Sequence, residues 1–385
     1  MLIFFYMIIS FSAFSQDIDD LYFGTDNTFE AMTWNIEWFP KNGTVTTDYV
    51  AQIIEALDVD LLAIQEIDDI SAFEQMVENL DGYEGYLESA WFAGLAYIYK
   101  TDVIQINNIY EIYTTSPYWN PFPRSPMVMD LNFMDERIIV INNHFKCCGD
   151  GILDLDNPED EETRRYLASN LLKEYIDNHF ANLNTIVLGD LNDALTDEEE
   201  NNVFQNILDD DENYLFADFD IATGDDSDWS YPTWPSHLDH ILITNELFDD
   251  FENSESYIQT IKIDEYISGG WWGYENNVSD HRPVALKLLL EENSNYSEVD
   301  DSLDSFFKNY PNPFSTKTVF SFRSKSQNQE IRIFNLKGQN VFSEEIQNGK
   351  SSITWNSRGF ANGIYFAKLL ENKKIIATSK LILIK

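Results

Sequence analysis

The side chains able to do chemistry in this chain stand where its apolar runs begin or end. In Thr185–Asp193, TIVLGDLND, β-forming residues run into Gly189, and Asp190 and Asn192 follow two positions apart. A period of two lets both polar groups leave the strand end on one face. An ordinary Asx-rich turn would use the same residues, so the companions decide. These are Asn35 in FEAMTWNIEWF, Glu66 near the end of DLLAIQEI, His144 after IIVINN, Asp239 opening DHILIT, and Asp280 and His281 just before PVALKLLL. Each alone has a plainer explanation: a single histidine is more often structural, and a strand-end carboxylate can simply face water, since burying it unpaired is costly. Collected, they are a donor set for metal-assisted hydrolysis of a phosphoester. A hard cation takes oxygen ligands, which Glu66 with Asn35, Asp190 or Asp280 can supply. A histidine backed by a carboxylate can deprotonate water, while asparagine and a second histidine hold the phosphoryl oxygens.

The elements that must position these residues follow from periodicity. Alternation over Phe29–Phe39 predicts a strand with Asn35 on the face opposite Trp34 and Trp38. Val50, Ile53, Ile54 and Leu57 have helical spacing within Thr47–Leu57, and a strand follows at Asp60–Ile67. Phe73–Leu80 reads as a helix; Leu95–Tyr99, Ile104–Ile112, Met127–Phe133 and Ile138–Asn142 read as strands, with Arg124 in the proline-stiffened loop PFPRSP. Asp150–Glu162 is an acidic loop without the ligand spacing of an EF-hand, which favours a solvated loop over a calcium site. Thr163–Phe180 predicts an amphipathic helix on Leu167, Leu171, Leu172, Tyr175 and Ile176, with acidic residues near its positive end. Asp197–Asp228 is acidic and loop-rich, and strands close the body at Ser236–Thr244 and Val284–Leu290.

Composition divides the chain. Of 385 residues with a net charge of −43, those from Phe306 onward hold 13 Lys and Arg against 4 Asp and Glu, leaving 11 basic and 63 acidic residues before them. Segments so different in charge predict separate domains. The acidic body argues against a broad electrostatic grip on a polyanion, but not against phosphate chemistry in a pocket where a divalent cation reverses the field. The apolar opening MLIFFYMIISFSAFSQ is too short to span a bilayer and is placed as a secretory signal. The only cysteines, Cys147 and Cys148, are adjacent. An oxidising exterior permits a disulfide between them at the expense of strain; two unpaired thiols in a loop is the other possibility. Glu291–Asp304 is a polar linker, and the short β-type runs after it, separated by turns such as LKGQN and ANG, predict a small antiparallel sandwich.

The motifs WNIEW, AIQEI, NHF, GDLND, LDHILI and SDHRPV, in this order, resemble the endonuclease/exonuclease/phosphatase superfamily, the deoxyribonuclease-I-like fold, over roughly Phe29–Leu290. The resemblance implies an α/β (α+β) four-layered sandwich of two packed mixed β-sheets flanked by helices. It implies Glu66 as principal metal ligand, with Asn35, Asp190 and Asp280 around the metal. His281 is implied as general base and Asp239 as the carboxylate that orients it. His144, Asp190 and Asn192 complete the catalytic set, with Arg124, His144 and Asn192 contacting phosphate. His240 lies outside that set, and His237 and His179 are taken as structural. The tail, with YPNPFSTKTVFSF, IRIFNLKGQNVF and NGIYFAKL, is similar to the C-terminal sorting domain of the type IX secretion system of Bacteroidetes-type bacteria, a small all-β, immunoglobulin-like sandwich. The expected organisation is a signal over 1–16, a catalytic body over 29–290, a linker over 291–305 and a sorting domain over 306–385. The expected protein is a secreted, monomeric, divalent-metal-dependent phosphodiesterase with no integral membrane span. Mg²⁺ is the first choice of ion and Mn²⁺ or Ca²⁺ the next; DNA or RNA is the expected substrate. The alternatives are a phosphatase or phospholipase-like enzyme acting on small substrates and a non-catalytic binding protein of the same fold.

Overall fold

Two six-stranded mixed sheets meet face to face in the body of the protein, each with helices on its outer side. The computed structural model describes residues 17–290 except 89, 90, 92 and 135, and in the tail 307–310, 312, 314–322, 329–335, 337, 339–346, 350, 352–371 and 374–384. The expected signal and linker lie outside the described residues. The chain divides into two compact units, 1–291 and 292–385.

The strands of the body are β1 (Phe29–Phe39), β2 (Leu61–Ile67), β3 (Tyr83–Leu87), β4 (Gly94–Lys100), β5 (Ile104–Glu111), β6 (Met127–Phe133), β7 (Glu136–His144), β8 (Asn184–Asp190), β9 (Tyr214–Phe216), β10 (Asp239–Thr244), β11 (Tyr257–Thr260) and β12 (Val284–Leu288). The helices are α1 (Thr44–Leu57), α2 (Ile70–Val77), α3 (Glu161–His179), the single turns α4 (Gln205–Leu208), α5 (Phe219–Ala222) and α6 (Phe248–Phe251), and α7 (Gly270–Asn277). One sheet runs β11-β12-β1-β2-β4-β3 and the other β5-β6-β7-β8-β10-β9.

Alternation sorts the side chains into layers. Ala31, Leu61, Ala63 and Leu286 of the first sheet pack on Met129, Val140, Leu188 and Ile241 of the second, forming the core between them. On the first sheet's outer face, Met32, Trp34, Leu62 and Ile64 pack on Val50, Ile53, Ile54 and Leu57 of α1 and Phe73 of α2. On the second sheet's outer face, Ile139, Ile141, Val187 and Leu242 pack on Ala168, Leu172 and Ile176 of α3. A polar belt crosses the inner core near the site end. Gln65 donates to Asn142 Oδ1 (2.8 Å), Asn142 donates to the Ile64 and Ala96 carbonyls, and the Tyr97 hydroxyl donates to the Met127 and Val140 carbonyls. These buried groups are satisfied only in one relative placement of the sheets, so the belt fixes their register.

The helix α3 differs from its expected form. Asp160 caps it, accepting from Thr163 N at 2.9 Å, so it starts earlier. Leu167 is 39% exposed, while Arg165 turns inward, donating to Asp193 Oδ2 (2.7 Å) and to the Lys146 and Cys148 carbonyls. A polar anchor therefore replaces the apolar stripe in the first half of the helix. The strands β3, β9 and β11 and the helix α7 carry too little periodicity to stand out in the sequence. Among the described residues, no helix is long and apolar enough to cross a membrane.

In the second unit the strands are β13 (Phe307–Tyr310), β14 (Lys317–Phe322), β15 (Gln329–Asn335), β16 (Asn340–Ile346), β17 (Ser352–Asn356), β18 (Gly363–Glu371) and β19 (Lys374–Leu383). They form a three-stranded sheet, β13-β14-β17, and a four-stranded sheet, β16-β15-β18-β19, around Phe320, Ile333, Trp355 and Leu369. The short β-type runs predict five or more strands, and seven form among the described residues.

Candidate active site

Strand register brings the chemistry together. On β7 and β8, which run parallel, His144 lies opposite Asp190; on β8 and β10, antiparallel, Asp190 lies opposite Asp239. Residues directly opposite share a face, and this one is the inner face that also carries Val140, Leu188 and Ile241. Gly189 makes the approach possible. Its φ is +151°, and a Cβ there would stand 2.0 Å from the Asn143 carbonyl oxygen on β7.

The first sheet contributes across the gap. Asn35 faces inward with Ala31, and its amide nitrogen donates to Asp190 Oδ2 (2.9 Å) and Glu66 Oε1 (3.3 Å). Its oxygen accepts from Glu37 N (3.0 Å). In this arrangement the amide nitrogen, rather than the oxygen, clamps the two carboxylates. Glu66 should by strict alternation turn outward with Leu62 and Ile64. Its φ of +68°, at a register shift between β2 and its neighbours, turns it to the site instead, where Oε2 accepts from Trp38 N (3.0 Å).

His281 sits just before β12. Its Nδ1 lies 2.7 Å from Asp239 Oδ2, and its Nε2 lies 3.8 Å from Asp190 Oδ2 and 4.0 Å from Asp280 Oδ1. His144 Nε2 is 3.4 Å from Asp190 Oδ2 and 3.9 Å from Glu66 Oε1. Asn192, with φ +54°, donates its backbone N–H to Asp190 Oδ1 (3.0 Å). Arg124 donates from Nε to the Ala93 carbonyl (3.3 Å) and feels the charges of Glu66 and Asp190. The sequence-predicted residues thus converge on one end of the two sheets.

The two histidines are pushed apart electrostatically. Burial pulls His281 down, but the charges of Asp239 and Asp190 outweigh it and raise its pKa to about 10. Burial, reinforced by Arg124 and His281, holds His144 well below the ordinary value, so it is neutral. Burial raises Asp190 to about 7, opposed by His281 and reinforced by Asp239. Divergent environments of this kind separate an acid–base group from a neutral hydrogen-bond donor.

The donor set suits a hard divalent cation. Glu66 and Asp190 present carboxylate oxygens held by one amide nitrogen, and Asp280 Oδ1 lies near the same His281 Nε2 that faces Asp190. Among the described residues, Asp239 Oδ1 and His144 Nδ1 are buried without a hydrogen-bond partner.

Several contributors escaped the sequence. Glu37 accepts from Asp280 N (2.9 Å), and Ser279 Oγ donates to the Asn35 carbonyl (2.6 Å) while accepting from His281 N (2.9 Å). Tyr231 lies against the His281 ring, centroids 4.8 Å apart. Arg282 is anchored bidentately on Asp264 (2.8 and 2.9 Å). A second buried cluster stands behind the site. Asp218 Oδ2 meets His240 Nδ1 (2.5 Å) and His237 Nε2 (3.1 Å), His240 Nε2 meets the Asp193 carbonyl (2.9 Å), and His237 Nδ1 accepts from Ser230 N (3.3 Å). With these nitrogens and Asp218 Oδ1, which accepts from Ile241 N (2.8 Å), all engaged, the cluster braces the loops around Asp193 and Asp239. Asp218 had no sequence signal beyond its neighbours. Cys147 and Cys148 are exposed free thiols. The acidic loop before α3 is ordered by Asp154, Asn157 and Asp160 accepting from its own backbone. A cavity of about 500 Å³ bounded by Leu21, Asp220 and Tyr266 reaches none of the site residues.

Residues 32–281 match the Endonuclease/Exonuclease/phosphatase family. The chain belongs to that family. Residues 308–385 match the secretion system C-terminal sorting domain, which directs the protein by type IX secretion to the cell surface or extracellular space. TDP2 from D. rerio, in a crystal structure complexed with single strand DNA product, is similar with a TM-score of 0.51 at 12% identity, covering 68% of this chain and 99% of that one. A humanized D. rerio TDP2 gives 0.50 at 11%, with the same coverage. An endonuclease/exonuclease/phosphatase from Bacteroides vulgatus gives 0.47 at 14%, covering 69% and 99%. At these identities the likeness is one of fold. No curated protein matches the chain. The family includes nucleases and phosphatases, and its members typically use divalent metals.

Proposed function

We propose that this family member is a secreted divalent-metal-dependent phosphodiesterase, and specifically an extracellular nuclease that hydrolyses DNA or RNA. The observation that carries it is the His281–Asp239 pair at 2.7 Å, with the free Nε2 turned toward Asp190 and, beyond it, Glu66 and His144. Asp239 holds the proton on Nδ1, which leaves Nε2 to take a proton from the attacking water. His144, kept neutral, donates from Nε2 to a non-bridging phosphoryl oxygen, and Asn192 and Arg124 serve the same oxygens. A divalent cation on Glu66, with Asp190 and Asp280 beside it, would polarise the phosphoryl group and offset the carboxylate charge that holds His281 protonated.

The acidity of the body favours a second reading, a phosphatase or phospholipase-like enzyme acting on small phosphoesters. Purified protein should be assayed on plasmid DNA, RNA and a panel of phosphoesters, with EDTA and with Mg²⁺, Mn²⁺ or Ca²⁺ restored. Metal-dependent cleavage of nucleic acid is expected, and Glu66→Ala and His281→Ala should each abolish it without unfolding the body, His281→Ala at a lowered melting temperature because it leaves Asp239 buried and unpaired. Turnover confined to small phosphoesters would favour the second reading; near-full activity in either variant would refute the site.

A further inference from the structure

Beside the catalytic centre lies a cavity of about 470 Å³ lined by Trp91, Gly94, Glu111, Trp119, Phe122 and Arg124 among others. That volume falls within the range of small-molecule sites. It adjoins the centre through both sheets. Gly94 on β4 is the register partner of Ile67, the residue after Glu66, and Met127, three residues past Arg124, pairs with Asn142, two residues before His144. Arg124 forms the common wall, lining the cavity while feeling the charges of Glu66 and Asp190.

Two large aromatic side chains stand open at its mouth. Trp91 is 84% exposed and Trp119 62% exposed, while Phe122 closes the floor at 2%. The Trp119 indole is held in place, its Nε1 donating to the Thr114 carbonyl at 3.1 Å. An indole held at the surface beside a second exposed one, over an apolar floor, serves a flat, unsaturated ligand. Glu111 adds a half-buried carboxylate to the wall. A carboxylate repels phosphate and accepts hydrogen bonds, so the occupant presents ring faces and amino hydrogens rather than charge. The body's acidity points the same way, since an acidic chain holds a nucleic acid poorly by its backbone and gains by stacking its bases.

We infer that the Trp91–Trp119 cavity is a nucleobase subsite, which seats a base of a single-stranded nucleic acid next to the phosphodiester at the catalytic centre. The inference rests on the nuclease reading and names its substrate form. The subsite selects strands whose bases are free to leave a duplex, and it supplies affinity that the acidic surface withholds.

The test uses the full-length protein carrying His281→Ala, so that bound strands survive, and a fluorescein-labelled single-stranded DNA hexamer. A hexamer of the same length with abasic sugars is the comparison, and anisotropy titrations are run at fixed salt. The base-bearing hexamer should bind at least about tenfold tighter than the abasic one. Adding Trp119→Ala should weaken the base-bearing hexamer by about tenfold or more and leave the abasic one unchanged, while Trp119→Phe, which keeps a stacking face, should stay within about threefold. Equal binding of the two hexamers, or an undiminished affinity in Trp119→Ala, would overturn the inference. Failure of the nuclease reading shows separately, as nucleic acids left intact by the parent protein while another phosphoester is consumed.

Discussion

Replacing Asp239 by asparagine changes the charge beside His281 and almost nothing of its shape. Asp239 is fully buried, Oδ2 faces His281 Nδ1 at 2.7 Å, and Oδ1 is buried without a partner. In Asp239→Asn the amide has two settings. With its oxygen toward His281, its NH₂ group is left unsatisfied in the pocket of Oδ1, at roughly 1–3 kcal/mol. With its NH₂ group toward His281, it donates to Nδ1 and forces the ring proton onto Nε2, the nitrogen that must accept one from water. Both settings also remove the foremost of the charges that raise His281 to about 10. The imidazolium formed as water is deprotonated loses its buried counter-charge; if about 3–5 kcal/mol of that stabilisation is lost, then at 1.36 kcal/mol per decade kcat falls roughly 10²–10⁴-fold. Initial rates on a nucleic acid substrate should show that loss in kcat, with KM little changed. The acidic limb of the pH–rate profile should move to lower pH, because the imidazolium has lost its anion. Thermal melts would confirm the fold. A variant that melts normally and keeps kcat within about tenfold of the parent would refute the role given to this pair.

Two further predictions concern the scaffold. Burial, reinforced by the Asp60 charge, raises Glu30 from 4.5 to about 8. The folded state therefore keeps a proton that the unfolded chain releases, and this contribution is complete below about pH 4.5 and lost as pH rises through about 8. Nominally that is ~5 kcal/mol; discounted for solvent screening it is on the order of 2 kcal/mol. Glu30→Gln carries no such charge, so it should match the parent near pH 4 and exceed it by about 2 kcal/mol near pH 9 in urea unfolding; parallel stability curves would contradict this. Gly189→Ala should destabilise by ~3 kcal/mol or more, because its Cβ would meet the Asn143 carbonyl at 2.0 Å with φ at +151°. An unchanged urea midpoint would show that β7 and β8 do not approach as described.

The legible part of the molecule was local. In TIVLGDLND, Ile186, Leu188 and Asp190 share the inner face, as a period of two requires. The same rule separated Asn35 from Trp34, which packs on the α1 side. Parity misplaces Glu66, since a positive φ at a register shift turns it, and nothing in DLLAIQEI marks that residue for a left-handed backbone. The α3 stripe misled at Leu167 because Arg165 reaches Asp193, a partner 28 residues away. Asp218 carries no local signal, because both of its histidine partners arrive from a later loop and strand.

The sequence by itself determined which strands end in polar residues, what chemistry those residues carry, and that a basic sorting tail follows an acidic body. Short-range periodicity and composition are enough for that, because each depends on neighbours a few positions apart. Tertiary structure alone decided which residues meet. Asn35 reaches Asp190 across 155 positions and His281 reaches Asp239 across 42. Those meetings depend on two sheets pairing at one register, with Gln65 and Asn142 hydrogen-bonded between them. Register across a sheet pair is set by the packing of the whole core, and no local window of sequence contains it.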